Sequence, residues 1–478
     1  MQFVGANPDI YQDSLRQLLT GTPIAVSVHD IAAVCRDEFH KSWIGWSEEY
    51  DRLITAWKMR RDEGRTPVLN AIAHQANVLW RKTVIEELGL RRFLPRYGFP
   101  IGLQSLTIPD DKESAREPVS LERDGILAVS EYVPGSTILA GGKTFTSNGI
   151  VSYWDNGSKE KEFGTRLWQY ACTEGHVWYS YWPEEPTATC RAAECLRPKL
   201  DMGKTLLVPR YGYSTATWDP PSWSGKQERV GRAMLVSTEF LNPGDKNSVD
   251  HGFGNVAGLK ATLCEGGEIL AANGGTDALG FAVCTRCGFA DSEVKTGSGR
   301  ENLPRRFDLH TNLRKKDGKC WGNKDAPVLR NHHLAAQQAT DLVQFDFANV
   351  PGPPLSQRVI TTLGYALKQA GAEILELDPR EIGMTVCRVG NANDWGLQLF
   401  DSTAGGAGHV VELFGQGSEW LDRSLSTMFR DKEHDDTCIT ACLRCLLTTA
   451  SQYDYELGLL SRKETYVRLS LMLARPVC

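Results

Sequence analysis

Cysteines 438, 442 and 445 are spaced C-x3-C-x2-C, within about two turns of chain, so their thiols can reach one metal ion. Zinc takes four ligands of this kind, thiolate or neutral imidazole. His434 or Asp436, just upstream, can supply the fourth; the competing reading is three cysteines in an apolar core. Residues Cys284-Thr285-Arg286-Cys287-Gly288 form a sharper knuckle, because the glycine admits the turn that lets backbone amides face the sulfurs. That knuckle needs two further ligands. His310 and Cys320, flanking a basic loop, are the best placed, with His332 or His333 as substitutes for His310. A looser set, Cys172, His176, Cys190 and Cys195, reads C-x3-H-x13-C-x4-C and has a single knuckle glycine, Gly175. It is either a worn zinc ribbon or a remnant of reduced thiols. The expectation is structural Zn2+, two ions or three.

Composition narrows the chemistry further. Thirteen cysteines, an odd number, several in close pairs, suit metal sites better than a disulfide framework. No apolar run approaches a membrane span and no signal sequence opens the chain, so a cytoplasmic protein without membrane contact is expected. The net charge of −6 does not advertise nucleic-acid binding, which then needs local patches. Candidates are Arg305 and Arg306, Lys315 and Lys316 beside Arg314, and Arg91, Arg92 and Arg96. Neither GxSxG nor HExxH occurs, and His409, eight residues after Asp401, has no nucleophile placed with it. No catalytic residue is nominated. A metal-dependent hydrolase is disfavoured, because it requires an open metal position and a nearby carboxylate base.

Several elements must hold these ligands. At 478 residues the chain is expected to divide into domains, of mixed α+β class overall. Residues 1–92 read as helical, with Ser47 capping one helix and a second over Leu69 to Leu88. Residues 93–215 read as β-rich with the possible ribbon, and 216–335 as β-rich with the C-x2-C knuckle. Residues 336–478 read as an α/β domain ending in the cysteine cluster. Within the last, 341–347 is a strand and Ser356 caps a helix closed by Gly371. Strands are expected at 373–377, 382–389 and 395–400, and Ser461 to Glu464 forms a capping box before a final helix.

The strand ending in Asp401 runs into Gly405, Gly406 and Gly408, then His409 and a helical pattern. A glycine turn at a helix start points amides outward, a seat for a DNA phosphate or a partner carboxylate; the alternative is a tight turn capped by Asp401. The segment "LFDSTAGGAGHV" with the later "C…C-x2-C-L" resembles a domain that closes MrfA-type superfamily-two DNA helicases and occurs in DrmB of the DISARM anti-phage system. That family has an aromatic where His409 stands and a fourth cysteine that this cluster lacks. "LPRYGFP" (94–100) and "VPGS" (133–136) resemble segments following the motor in the same family. Two strings imitate motor motifs. Asp37-Glu38-Phe39-His40 lacks the apolar strand that a D-E-x-H box requires. Gly141-Gly142-Lys143-Thr144 lacks the first phosphate-loop glycine, since position 137 is Thr137. The resemblance therefore implies a zinc-bearing, DNA-binding subunit that partners a separate ATP-dependent helicase in phage defence or DNA repair. The alternative is a fragment of one long helicase chain.

Overall fold

The computed structural model describes residues 28–62, 84–90, 103–108, 121–151, 163–223, 228–236, 247–295, 328–389 and 394–475, with short breaks, and isolated positions between them. It divides into two units, Met1–Ile101 and Gly102–Cys478. The first contains a long helix, α1 (Val28–Asp62), and a short one, α2 (Val84–Leu90). Helix α1 runs unbroken through Ser47, so Ser47 is an interior residue rather than a cap. On it Trp43 stacks on Trp46 (5.4 Å), and Trp46 and Tyr50 lie tilted against Trp80, which is outside the helix. Asp37 to His40 lie on this helix, which is the wrong element for a motor box.

The second unit is built on an eleven-stranded sheet. Its strands are β1 (Gly164–Cys172), β2 (Val177–Ser180), β3 (Lys199–Pro209), β4 (Ala233–Val236), β5 (Asn247–His251) and β6 (Lys260–Asn273). They continue with β7 (Phe281–Cys284), β8 (Ala290–Ser292), β9 (Val328–Asp346), β10 (Ile382–Arg388) and β11 (Trp395–Asp401). The 19-residue β9 organises them. It pairs antiparallel with β6, β7 and β11, and parallel with β3 through His332 to Leu334. The sheet thus crosses the boundary expected at 215, and β9 itself runs through the boundary expected at 335. A helix, α3 (Gly125–Glu131), packs on the same sheet. Gly141 and Gly142 form the two-residue turn of a hairpin that pairs Ala140 with Lys143; both have positive φ, the requirement of that turn type. This is a hairpin tip, not a phosphate loop.

Toward the C-terminus come α4 (Gln357–Leu375), α5 (His409–Gly415), α6 (Gly417–Met428), α7 (Lys432–Thr437), α8 (Gln452–Glu456) and α9 (Arg462–Met472). Ser356 caps α4 by accepting from the Val359 amide (3.4 Å). Ile360, Leu363 and Leu367 turn inward onto β10 and β11 and are 0–2% exposed; burying each contributes roughly 1.5–3 kcal/mol. Gly371 does not end this helix. A Cβ there would stand 2.7 Å from Leu413 and 3.2 Å from the Trp420 ring nitrogen, so the glycine serves close packing inside the helix. The helix continues to Leu375 and stops at Glu376 in the left-handed region (φ 55°). Residues 373–377 are therefore helix end and turn rather than a strand. Pro379–Glu381 is a short 3-10 turn leading into β10. No helix among the described residues is long and apolar enough to cross a membrane.

Candidate metal centres

Among the described residues, three groups of four side chains converge: Cys172, His176, Cys190 and Cys195; Cys284, Cys287, His310 and Cys320; His434, Cys438, Cys442 and Cys445. Within each, the four donor atoms lie within 4.8 Å of one another. Eleven of these twelve residues are buried, Cys442 being intermediate.

The first centre hangs on the β1–β2 hairpin. Cys172 ends β1, and the turn to His176 closes through the Gly175 amide donating to the Cys172 carbonyl (3.0 Å), with Gly175 at φ 85°. The other half is the approach to β3, where Cys190 donates its amide to the Arg197 carbonyl (2.8 Å). His176 Nδ1 lies 3.4 Å from the Cys172 sulfur and 3.6 Å from the Cys190 sulfur. Tyr170 and Trp178 pack over the cluster.

The second centre begins where β7 turns into β8. The Gly288 amide donates to the Cys284 carbonyl (2.9 Å), and the Phe289 amide donates to the Cys287 sulfur (3.4 Å). The opposing knuckle brings His310 and Cys320 together through the Cys320 amide on the His310 carbonyl (2.8 Å). His310 Nε2 is 3.3 Å from the Cys287 sulfur, while Nδ1 sits on the Phe307 carbonyl (3.1 Å) and fixes the ring. His332 and His333 are elsewhere. Both lie on β9 outside the cluster of donors, so neither substitutes for His310; burial pushes each down to about 4.

The third centre is carried by α7 and the loop after it. Asp431 caps α7 by accepting from the His434 amide (2.7 Å), and Cys438 closes the helix. His434 Nε2 lies 3.4 Å from the Cys442 sulfur, and the Cys445 sulfur is 3.8 Å from those of Cys438 and Cys442. The Cys442 amide donates to the Cys445 sulfur (3.3 Å). His434 thus takes the fourth position; Asp436 is exposed and outside the cluster.

These distances fit zinc. Tetrahedral zinc–sulfur and zinc–nitrogen bonds place two sulfurs about 3.8 Å apart and a sulfur and nitrogen about 3.6 Å apart. The observed sulfur pairs at 3.8 Å and sulfur–nitrogen pairs at 3.3–3.6 Å match those edges. None of the twelve described cysteines is in a disulfide. In the third centre, burial and the neighbouring Cys445 push Cys438 up to about 12 and burial raises Cys445, whereas Cys442 is lowered, its burial outweighed by the Arg444 amide and the two neighbouring thiols. Hydrogen bonds to Cys284 and Cys320, then burial, raise Cys287. A dication reverses that balance by displacing the protons. His434 is held below its ordinary value by burial and by the charges of Arg462 and Arg444, which favours the neutral ligating form. Four donors per cluster complete a structural zinc site and leave no position for an activated water.

The glycine turn is closed on itself. Asp401, fully buried, accepts from the amides of Ala407 (2.7 Å), His409 (3.1 Å) and Val410 (3.0 Å). The Gly405 amide donates to Ala339 and the Gly406 amide to Thr403. Burial raises Asp401, and the amides of Val410 and Ala407 pull it back. The amides of Gly405, Gly406 and His409 are therefore occupied, and the His409 ring pairs with Glu381 (3.2 Å). Arg305, Arg306, Lys315 and Lys316 lie outside the described residues, as do Arg91, Arg92, Arg96 and Arg314. Two residues that the spacing of ligands does not reveal stand beside the third centre: Asp435 and the fully buried Arg462, which pair at 2.9 Å.

Residues 363–446 match the family model of the MrfA Zn-binding domain. No curated protein matches this sequence. Among solved structures, the chain is similar to a crystal structure of the DUF1998 helicase MrfA bound to DNA, at TM-score 0.33 and 11% identity over 78% of this chain and 34% of that one. A second, of MrfA bound to DNA and AMPPNP, gives TM-score 0.27 and 10% identity over 74% and 31%. This chain thus spans about a third of the length of those helicase chains. The third centre falls wholly inside the matched segment, and its donor set is the zinc-binding kind that the family's description names. The chain accordingly carries an MrfA-type zinc-binding domain at residues 363–446.

Proposed function

We propose that this chain is a zinc-bearing accessory subunit that binds DNA and docks onto a separate ATP-driven superfamily-two helicase, in anti-phage defence of the DISARM kind or in DNA repair. The observation that carries the reading is the closed Cys3His centre inside an MrfA-type zinc-binding domain, beside two further four-ligand centres. Closed centres of this type hold loops in shape, which suits a docking and binding subunit rather than one performing metal-assisted hydrolysis. Neither motor-like string has a motor's structure, since one lies on α1 and the other is a hairpin tip.

On DNA, phosphate contacts fall to the basic positions Arg305, Arg306, Lys315 and Lys316. One described surface feature supports base contact: Trp223 is 76% exposed, with the Lys143 ammonium 4.7 Å from its ring centre. An aromatic face beside a cation is what single strands stack on. The test is fluorescence anisotropy with single- and double-stranded oligonucleotides at low and moderate salt, with and without the helicase. The proposal expects salt-dependent binding that the helicase strengthens. Absence of binding under every condition refutes it.

A further inference from the structure

We propose that the third metal centre is a module reaching through α9, and that Arg462 is the positioning residue holding its ligand loop in metal-binding shape. This rests on the zinc reading of His434, Cys438, Cys442 and Cys445 given above. The segment that matches the zinc-binding family ends at residue 446, before α9 begins.

The third centre cannot brace itself. Its histidine rides on α7, a helix of six residues, and its first cysteine closes that helix. A helix so short has no stability of its own in water. One buried guanidinium supplies much of the bracing. Arg462 Nε donates to the Cys438 carbonyl (2.7 Å) and Nη1 to the Met428 carbonyl (3.1 Å). Nη2 donates to the Asp435 carbonyl (3.2 Å) and carboxylate (2.9 Å). The end of α6, the body of α7 and a metal ligand are thereby fastened to a single side chain with no exposed surface. The first backbone amides of α9 do the same for the ligand loop: Arg462 donates to Thr440 (2.8 Å) and Lys463 to Ile439 (3.0 Å).

Charge gives a second reason for a cation here. Zinc with three thiolates and a neutral imidazole carries one net negative charge, which a buried setting penalises unless it is compensated. Arg462 brings a positive charge, Asp435 a negative one, and Lys463, 3.5 Å from Asp435, another positive. These three side chains together sum to one positive charge, opposite in sign to the metal-loaded site. A lysine at 462 would keep the charge but cannot form the planar fork that spans three carbonyls and a carboxylate.

The test follows zinc release from the full chain to a chromophoric chelator, with the kinetic phase of the third centre assigned by its loss in Cys442→Ser. Arg462→Met is expected to speed that phase about 10–100-fold, the usual loss of affinity on removing an outer partner of a metal ligand taken as falling on release, and to leave the other phases unchanged. Arg462→Lys should restore part of the rate. Asp435→Asn, which keeps Arg462 and removes only one charged acceptor, should speed release less; it keeps the proposal testable if Arg462→Met fails to fold. Loss of urea stability with release at wild-type rates in Arg462→Met or Asp435→Asn would show a merely structural arginine and overturn the proposal. If Cys442→Ser removes no zinc at all, the metal reading beneath it fails instead.

Discussion

His332 and His333 sit side by side on β9, both buried, and both held down to about 4 from an ordinary 6.5. For His332 burial dominates, with the Arg166 charge adding to it and the Arg330 carbonyl (2.7 Å) and Glu293 opposing. For His333 burial again leads, followed by the charges of Lys204 and His332. The unfolded chain takes up these protons as pH falls through 6.5, whereas the folded chain refuses them until about 4. Stability is therefore complete above pH 6.5 and is lost as pH falls toward 4. Between pH 7.5 and 5.5 each histidine accounts for a loss of about 1.3 kcal/mol, taking 1.36 kcal/mol per pKa unit. Urea unfolding at both pH values, with zinc in excess, measures the difference. His332→Asn keeps a donor toward the Arg330 carbonyl, and His333→Gln keeps a polar side chain; each should shrink the pH difference by about 1.3 kcal/mol. Variants with the wild-type pH dependence would refute the account. Loss of a zinc equivalent in His332→Asn would refute it differently, by making His332 a ligand.

Elemental analysis of protein purified without added metal should find three zinc ions per chain, one for each cluster. Cys172→Ser, Cys284→Ser and Cys442→Ser should each lose one equivalent; less than one in the wild type would turn the clusters into core thiols. Asp401→Ala frees three buried or half-buried amides and should cost about 2–4 kcal/mol in denaturant unfolding, since unsatisfied donors carry roughly 1–3 kcal/mol each and relax in part. Unchanged stability together with tighter oligonucleotide binding would restore the glycine turn as a phosphate seat. Gly364 faces Met384 (2.6 Å from an added Cβ) and Leu397 (2.8 Å), so Gly364→Val should lower stability by about 1–3 kcal/mol through overpacking; an unchanged melting temperature would refute that contact.

The sequence made the mixed class and the final α/β stretch legible because their signals are local. Ser356 before a helical apolar pattern, Ile382 to Arg388 and Trp395 to Asp401 all took their expected forms. The misreadings were failures of local rules where packing decides. Gly371 carries a stop signal, yet Leu413 and Trp420 need the space that its missing side chain leaves. Ser47 carries a cap signal, but α1 extends across it. The eleven-stranded sheet was illegible for a different reason: β9 joins strands from residue 199 to residue 401, and no window along the chain contains such pairings.

The metal centres show where that limit lies. Cys438, Cys442 and Cys445 are bound to meet by covalent spacing alone, and Cys284 with Cys287 equally so. The choice between His310 and His332 needed the fold, because only the register of β9 with β7 and β3 removes His332 from the knuckle. Arg462 lay further out of reach, since its place in the sequence reads as the start of a capped helix. Ser461 does precede α9, but the expected capping box does not form: its hydroxyl donates to the Glu464 carboxylate (3.0 Å) and its own amide donates to the Thr362 hydroxyl (2.8 Å). The same helix start aims its first side chain into the third centre, binding carbonyls between residues 428 and 438. Ligands that share a knuckle are visible as spacing, whereas the residue that holds the knuckle in shape is visible only once α9 has folded back onto it.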